Sequence, residues 1–154
     1  MENTVIRKLT PDDFDAFISH RMDFFRELES GEVTPELKQG ILRTLKKLWE
    51  EGNLLGTVAE RDGDIISMAV VCLYETLPNP SRLSGKTGYI QNVYTVPAYR
   101  GKGLAVDVLT DLIEDVRQRG VEMLYLSAEV KAVPLYERLG FETVEREMRL
   151  RLSK

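Results

Sequence analysis

Residues 95–109 read TVPAYRGKGLAVDVL, which places Gly101 and Gly103 between Arg100 and Lys102 directly ahead of an amphipathic run. Glycine carries no Cβ, so a bulky anion can come close to its backbone. A helix start leaves its first N–H groups unpaired and bears partial positive charge. The N–H groups of Gly101, Lys102, Gly103, Leu104, Ala105 and Val106 can therefore cradle a diphosphate, with Arg100 and Lys102 adding charge-assisted contacts. A plainer reading stands beside this one: a glycine helix start flanked by two solvated cations. Two other phosphate devices are excluded. The pattern Gly-x4-Gly-Lys-Ser/Thr is absent, and a dinucleotide fingerprint would need glycine where Val106 stands.

The elements that must position this turn follow from periodicity. TVIRKL alternates like a short strand, and LTPDDF supplies Thr10 as N-cap, Pro11 in the first turn and Asp13 at capping-box spacing. Phe14, Phe17, Ile18, Met22, Phe25 and Leu28 predict a helix over 11–29. Thr34 and Pro35 open a second helix whose stripe is Leu37, Ile41, Leu45 and Leu48. Two apolar runs around Asp62-Gly63 predict a hairpin, TLPNPSRLSGKTG an exposed loop, and YIQNVYTV a further strand ended by Pro97. Residues 103–119 predict a helix stopped by Gly120. VEMLYLSA then reads as a strand, AVPLYERLG as a short helix and FETVEREMRLRL as a final alternating strand. The expected order is β-α-α-β-β-β-α-β-α-β, one mixed α/β domain over 1–154 without repeats or a linker.

Composition bounds the function. The chain has 154 residues, 43% of them hydrophobic and 30% charged, with a net charge of −4, so no chain-wide basic field attracts nucleic acid. Cys72 is the single cysteine and His20 the single histidine, which excludes an internal disulfide and offers little to a transition metal. No signal-like or membrane-length apolar run is present, so the expectation is a cytoplasmic protein with no membrane partner and no metal. His20 lies off its helix's apolar stripe and reads as solvated, and Glu27 and Glu75 read as wet-face charges.

VYTVPAYRGKGLA resembles the acyl-CoA-binding motif of the GNAT superfamily, the Gcn5-related N-acetyltransferases, whose pattern Arg/Gln-x-x-Gly-x-Gly/Ala is matched by Arg100, Gly103 and Ala105. Downstream, PLYERLGF (134–141) is similar to the family's second motif, Leu-Tyr-x-x-x-Gly-Phe. The resemblance is sharp from Gly88 to Phe141. It implies the acyl-CoA N-acyltransferase fold with splayed central strands, acetyl-CoA as acyl donor, and transfer to a primary amine of a small molecule or peptide by direct attack through a tetrahedral intermediate. It also implies that backbone around Val93, Tyr94 and Thr95 pairs with the pantetheine arm. The N–H of Val93 would then face the carbonyl oxygen, and the Tyr136 hydroxyl would serve the departing sulfur as acid.

Helical spacing among Ala132, Leu135, Tyr136 and Leu139 also allows a merely packed tyrosine, and Tyr94 can equally be core. Glu129 stands where the family often has Asn. Either it takes a proton from the incoming amine or it pairs with Lys131 at the surface. Arg82 and Lys86 can meet a carboxylate or a CoA phosphate, and a homodimer through a sheet edge or the C-terminal strand fits the resemblance. An acyl-CoA-sensing module without turnover is the alternative function, and a structural protein whose turn binds nothing is a third.

Overall fold

The computed structural model describes residues 3–153. Five strands form one sheet in sequential order: β1 (Thr4–Lys8), β2 (Leu54–Arg61), β3 (Asp64–Glu75), β4 (Lys86–Thr95) and β5 (Met123–Tyr125). Neighbours are antiparallel except β4 and β5, which run parallel. Asp62 and Gly63, at φ 51° and 86°, turn the β2–β3 hairpin in the left-handed conformation that such a turn requires.

Helices α1 (Phe14–Leu28) and α2 (Pro35–Glu50) cover one face. Helices α3 (Leu104–Gln118) and α4 (Val133–Arg138) cover the other. Their starts follow the sequence signals. Asp13 Oδ2 accepts from the Thr10 N–H at 2.9 Å, and Thr34 Oγ1 accepts from the Leu37 N–H at 3.1 Å. Residues 11–13 form a 3₁₀ turn, so α1 proper begins later than the apolar spacing predicts. Among the described residues no helix is long and apolar enough to cross a membrane, and no group of three or more His, Cys, Asp or Glu is placed to hold a metal.

Two strand expectations are corrected. The strand predicted from VEMLYLSA is only Met123–Tyr125, and residues 141–153 form no final strand. Met148, Leu150 and Leu152 are 98%, 81% and 92% exposed. Alternation yields a strand only where a neighbour supplies a ladder. Here the chain beyond Gly140 forms one wall of a groove whose other wall includes β5, instead of hydrogen-bonding to it.

Candidate functional site

The β4–β5 ladder runs only from Thr87 with Met123 to Tyr89 with Tyr125. Beyond those pairs the strands part, and among the described residues the β5-facing edge of β4 from Ile90 to Thr95 has no strand beside it. A bulge sharpens the parting. Met68 faces Tyr94 and Val70 faces Gln91, so Asn92 and Val93 together stand opposite Ala69. Asn92 takes the bulge with φ 57°, a conformation that asparagine tolerates better than most residues. Val93 is half-buried towards α3, Tyr94 is buried towards α1, and Thr95 bonds the Ser67 hydroxyl at 2.8 Å.

The glycine turn lies beyond the end of β4. Gly101 and Gly103 sit at φ 78° and 82°, Gly103 is the N-cap of α3, and a Cβ on either would meet no heavy atom within 4 Å. Their backbone thus borders open space at the start of a 15-residue helix. This suits a diphosphate, because unpaired N–H groups and open approach coincide. Leu104 is buried and anchors the helix, while Ala105 is half-buried. The two cations differ. Arg100 turns away: its Nη2 donates to both carboxylate oxygens of Glu27 at 2.8 Å, its Nε donates to the Thr95 carbonyl, and its guanidinium lies 5.4 Å from the Tyr94 ring centroid. Lys102 remains by the turn, 5.5 Å over the Tyr99 ring.

Tyr136, on α4, is 9% exposed and packs edge-on against Phe141. It also lines the groove that runs beside β5 past Leu126, Ser127 and Ala128. Burial pushes its hydroxyl pKa up, so the phenol holds its proton at neutral pH. Glu129 is exposed and forms no ion pair with Lys131 among the described residues. Arg82 is occupied: it donates to the Thr87 hydroxyl at 2.8 Å and to the Tyr125 hydroxyl at 3.0 Å, tying the 76–85 loop to β4 and β5.

Three contacts escape sequence reasoning. His20 is not solvated; its Nε2 donates to the Ile65 carbonyl at 2.9 Å and its ring lies against Tyr94. Glu27 accepts from the Tyr94 hydroxyl at 3.1 Å as well as from Arg100. Arg21 approaches Asn92 Oδ1 at 3.3 Å beside a cavity between α1, α2 and the sheet. Asparagine within a β-rich run was the available signal for the last, since strands disfavour it.

Residues 14–141 match the model of the Acetyltransferase (GNAT) family. A glucosamine 6-phosphate N-acetyltransferase from Trypanosoma brucei brucei is 40% identical over 75 residues, 49% of this chain and 51% of that protein. The N-alpha-acetyltransferase MAK3 of Arabidopsis thaliana is 39% identical over 62 residues, 38% of this chain and 33% of that protein. The chain spans about half the length of the curated relatives it matches, or less. Among solved structures, a predicted acetyltransferase with acetyl-CoA from Clostridium acetobutylicum superposes with a TM-score of 0.88 at 26% identity, covering 97% of this chain and 96% of that one. A GCN5-related N-acetyltransferase from Ralstonia eutropha JMP134 gives 0.84 at 27% identity, covering 97% and 98%.

Proposed function

The chain belongs to the acetyltransferase (GNAT) family, and from that premise we propose that it is an acetyl-CoA-dependent N-acetyltransferase acting on a primary amine of a small molecule or peptide. The observation that carries this reading is the parted β4–β5 pair with an open glycine turn at one end and the Tyr136 ring on a groove beside β5. In this reading the N–H groups from Gly101 to Val106 hold the diphosphate, Lys102 adds its charge, and Arg100 braces the end of β4. The free β4 edge around Val93, Tyr94 and Thr95 pairs with the pantetheine arm as an added strand. When bound, acetyl-CoA supplies the activated acetyl thioester. The Val93 N–H is assigned to the carbonyl oxygen and the Tyr136 hydroxyl to the departing sulfur, where a phenol kept protonated by burial can donate.

The test is the melting temperature with and without acetyl-CoA, followed by assay against an amine panel. Ligand at about 100 times its dissociation constant stabilises by about 2.7 kcal/mol, a rise of roughly 5–10 °C for a chain of this length. Gly103→Glu should remove that rise, because a carboxylate would occupy the diphosphate's place. No rise in the parent, freed of carried-over CoA, overturns the proposal. A rise without transfer to any amine leaves the acyl-CoA-sensing module instead. For the exposed tail, a homodimer contact through 144–152 is the reading, and sedimentation of the chain against Met148→Lys checks it. A monomer in both removes it.

A further inference from the structure

Arg21 sits on α1, half-buried, with its guanidinium 4.6 Å over the Phe25 ring. No carboxylate lies within 4.0 Å of it among the described residues, and its one hydrogen bond is the long contact to Asn92 Oδ1. Taking a cation out of water without a counter-charge is costly, and burial accordingly pulls the Arg21 pKa down. Asn92 is 5% exposed, and its Nδ2 is a buried donor with no acceptor. Arg21 thus keeps a charge and N–H groups that the protein leaves without a carboxylate, beside a buried amide whose own donor is unpaired among the described residues.

They adjoin space. Arg21 lines a cavity of about 600 Å³ walled by Phe17, Leu37, Ile41, Cys72 and Gln91. Glu36 and Arg43 sit on its exposed α2 rim, outside ion-pair distance of Arg21. The cavity also adjoins the proposed chemistry. Asn92 directly precedes Val93, and Gln91 and Tyr94 face the α1 side on either flank of the bulge. A molecule held there can present an amine across β4 towards the parted strands.

We propose that Arg21, backed by the Asn92 side-chain oxygen, forms a subsite for an oxyanion, a carboxylate or a phosphate, borne by the acceptor amine. The proposal rests on the transferase reading above and specifies its substrate class: amines carrying an anionic group, with apolar walls receiving the carbon skeleton between. A guanidinium edge without a protein partner matches two oxygens of such a group side by side.

The experiment pairs acceptors that share an amine and differ in the anion: glucosamine 6-phosphate against glucosamine, and an amino acid against its amide. The parent should favour the anionic member in kcat/KM by about 10- to 100-fold, the scale of a hydrogen bond to a charged group. Arg21→Met should abolish the preference, chiefly through KM. Asn92→Asp keeps the shape and the tolerated backbone while giving Arg21 an internal carboxylate. It should abolish the preference too, with the melting temperature held or raised. A purely structural Arg21 would leave the preference intact in Asn92→Asp.

A binding readout is independent of turnover. Inorganic phosphate, against chloride of equal ionic strength, should raise the melting temperature of the parent and of Gly103→Glu but not of Arg21→Met. Protection lost in Gly103→Glu instead assigns the phosphate to the glycine turn and overturns the subsite. Transfer without anion preference also overturns it while the transferase reading stands. Phosphate protection without transfer to any amine does the reverse.

Discussion

On one face of the sheet, Val108, Leu109 and Leu112 of α3 are fully buried and Val116 is 1% exposed; on the other, α2 buries only Leu45 and leaves the cavity beside Arg21 open. The α1 side buries Phe14, Phe17, Ile18 and Met22 and adds polar contacts along the helix. Arg7 grips Asp13 near its start, His20 the Ile65 carbonyl midway, and Glu27 the Tyr94 and Arg100 side chains near its end. Interdigitated apolar contact leaves a helix one position on a sheet, which is what a glycine turn at the start of α3 needs if its N–H groups are to stay aimed. Polar pins around a cavity fix a helix at points and leave room between them. The difference fits a preset grip for the donor on one face and an adaptable seat for the acceptor on the other.

The largest expected effect lies on the α3 and α4 face. Tyr136→Phe should lower kcat by about 10²–10⁴, the usual scale of general acid catalysis, with little change in acetyl-CoA affinity. Its pH dependence has a definite sign. With Tyr136 as the proposed acid, activity should need the protonated phenol and be lost as pH rises through a pKa that burial holds above the ordinary value of about 10. The parent's rate should therefore show no loss due to Tyr136 below about pH 10. A rate within about twofold of the parent in the Phe variant, against that scale, would make Tyr136 a packing residue.

Next in size is a direct test of the contrast. Leu109→Ala should cost about 2–5 kcal/mol by urea denaturation, since a fully buried leucine is replaced by a cavity. Ile41→Ala, at the edge of space that already exists, should cost less than half as much. Equal losses would mean that the α2 face is as tightly packed as the α3 face. Smaller again is Gly103→Ala. No heavy atom lies within 4 Å of the added methyl, so only the φ of 82° opposes it, at about 1 kcal/mol.

Much of this was legible beforehand because it rests on local chemistry. Asp62-Gly63 fixes a hairpin by its backbone preference, Thr34-Pro35 starts a helix, and Gly101 and Gly103 announce an unusual turn whatever surrounds them. What escaped depends on partners distant in sequence. Glu27 looks like a wet-face charge until Tyr94 and Arg100 meet it, and Arg21 carries no sign of its missing counter-ion. The tail misled for the same reason. MRLRL alternates as an amphipathic strand should, but alternation cannot report whether a strand edge lies beside it.

The smallest effect concerns the pin at the start of α1, and it separates the faces by pH. Arg7 donates to both oxygens of Asp13 at 2.8 Å, and Asp13 also accepts from the Thr10 N–H. The bond from Arg7 comes first in holding the Asp13 pKa below the ordinary carboxylate range. An unfolded aspartate titrates near pH ~4, so this pin stabilises the native state fully above that value and is lost as pH falls through the lower, folded pKa. Asp13→Asn should therefore cost about 1 kcal/mol at pH 7, with the penalty shrinking on acidification and gone once the folded aspartate is protonated. Amide exchange locates the loss. In the parent, acidification should weaken protection at the start of α1 before α3, because buried leucines and valines hold α3 beside its two carboxylate contacts to the sheet, Asp111 with the Thr57 hydroxyl and Asp115 with Lys8. Protection that falls equally in both helices would show that the faces unfold as one unit, and the distinction between a packed face and a pinned one would then hold for structure but not for stability.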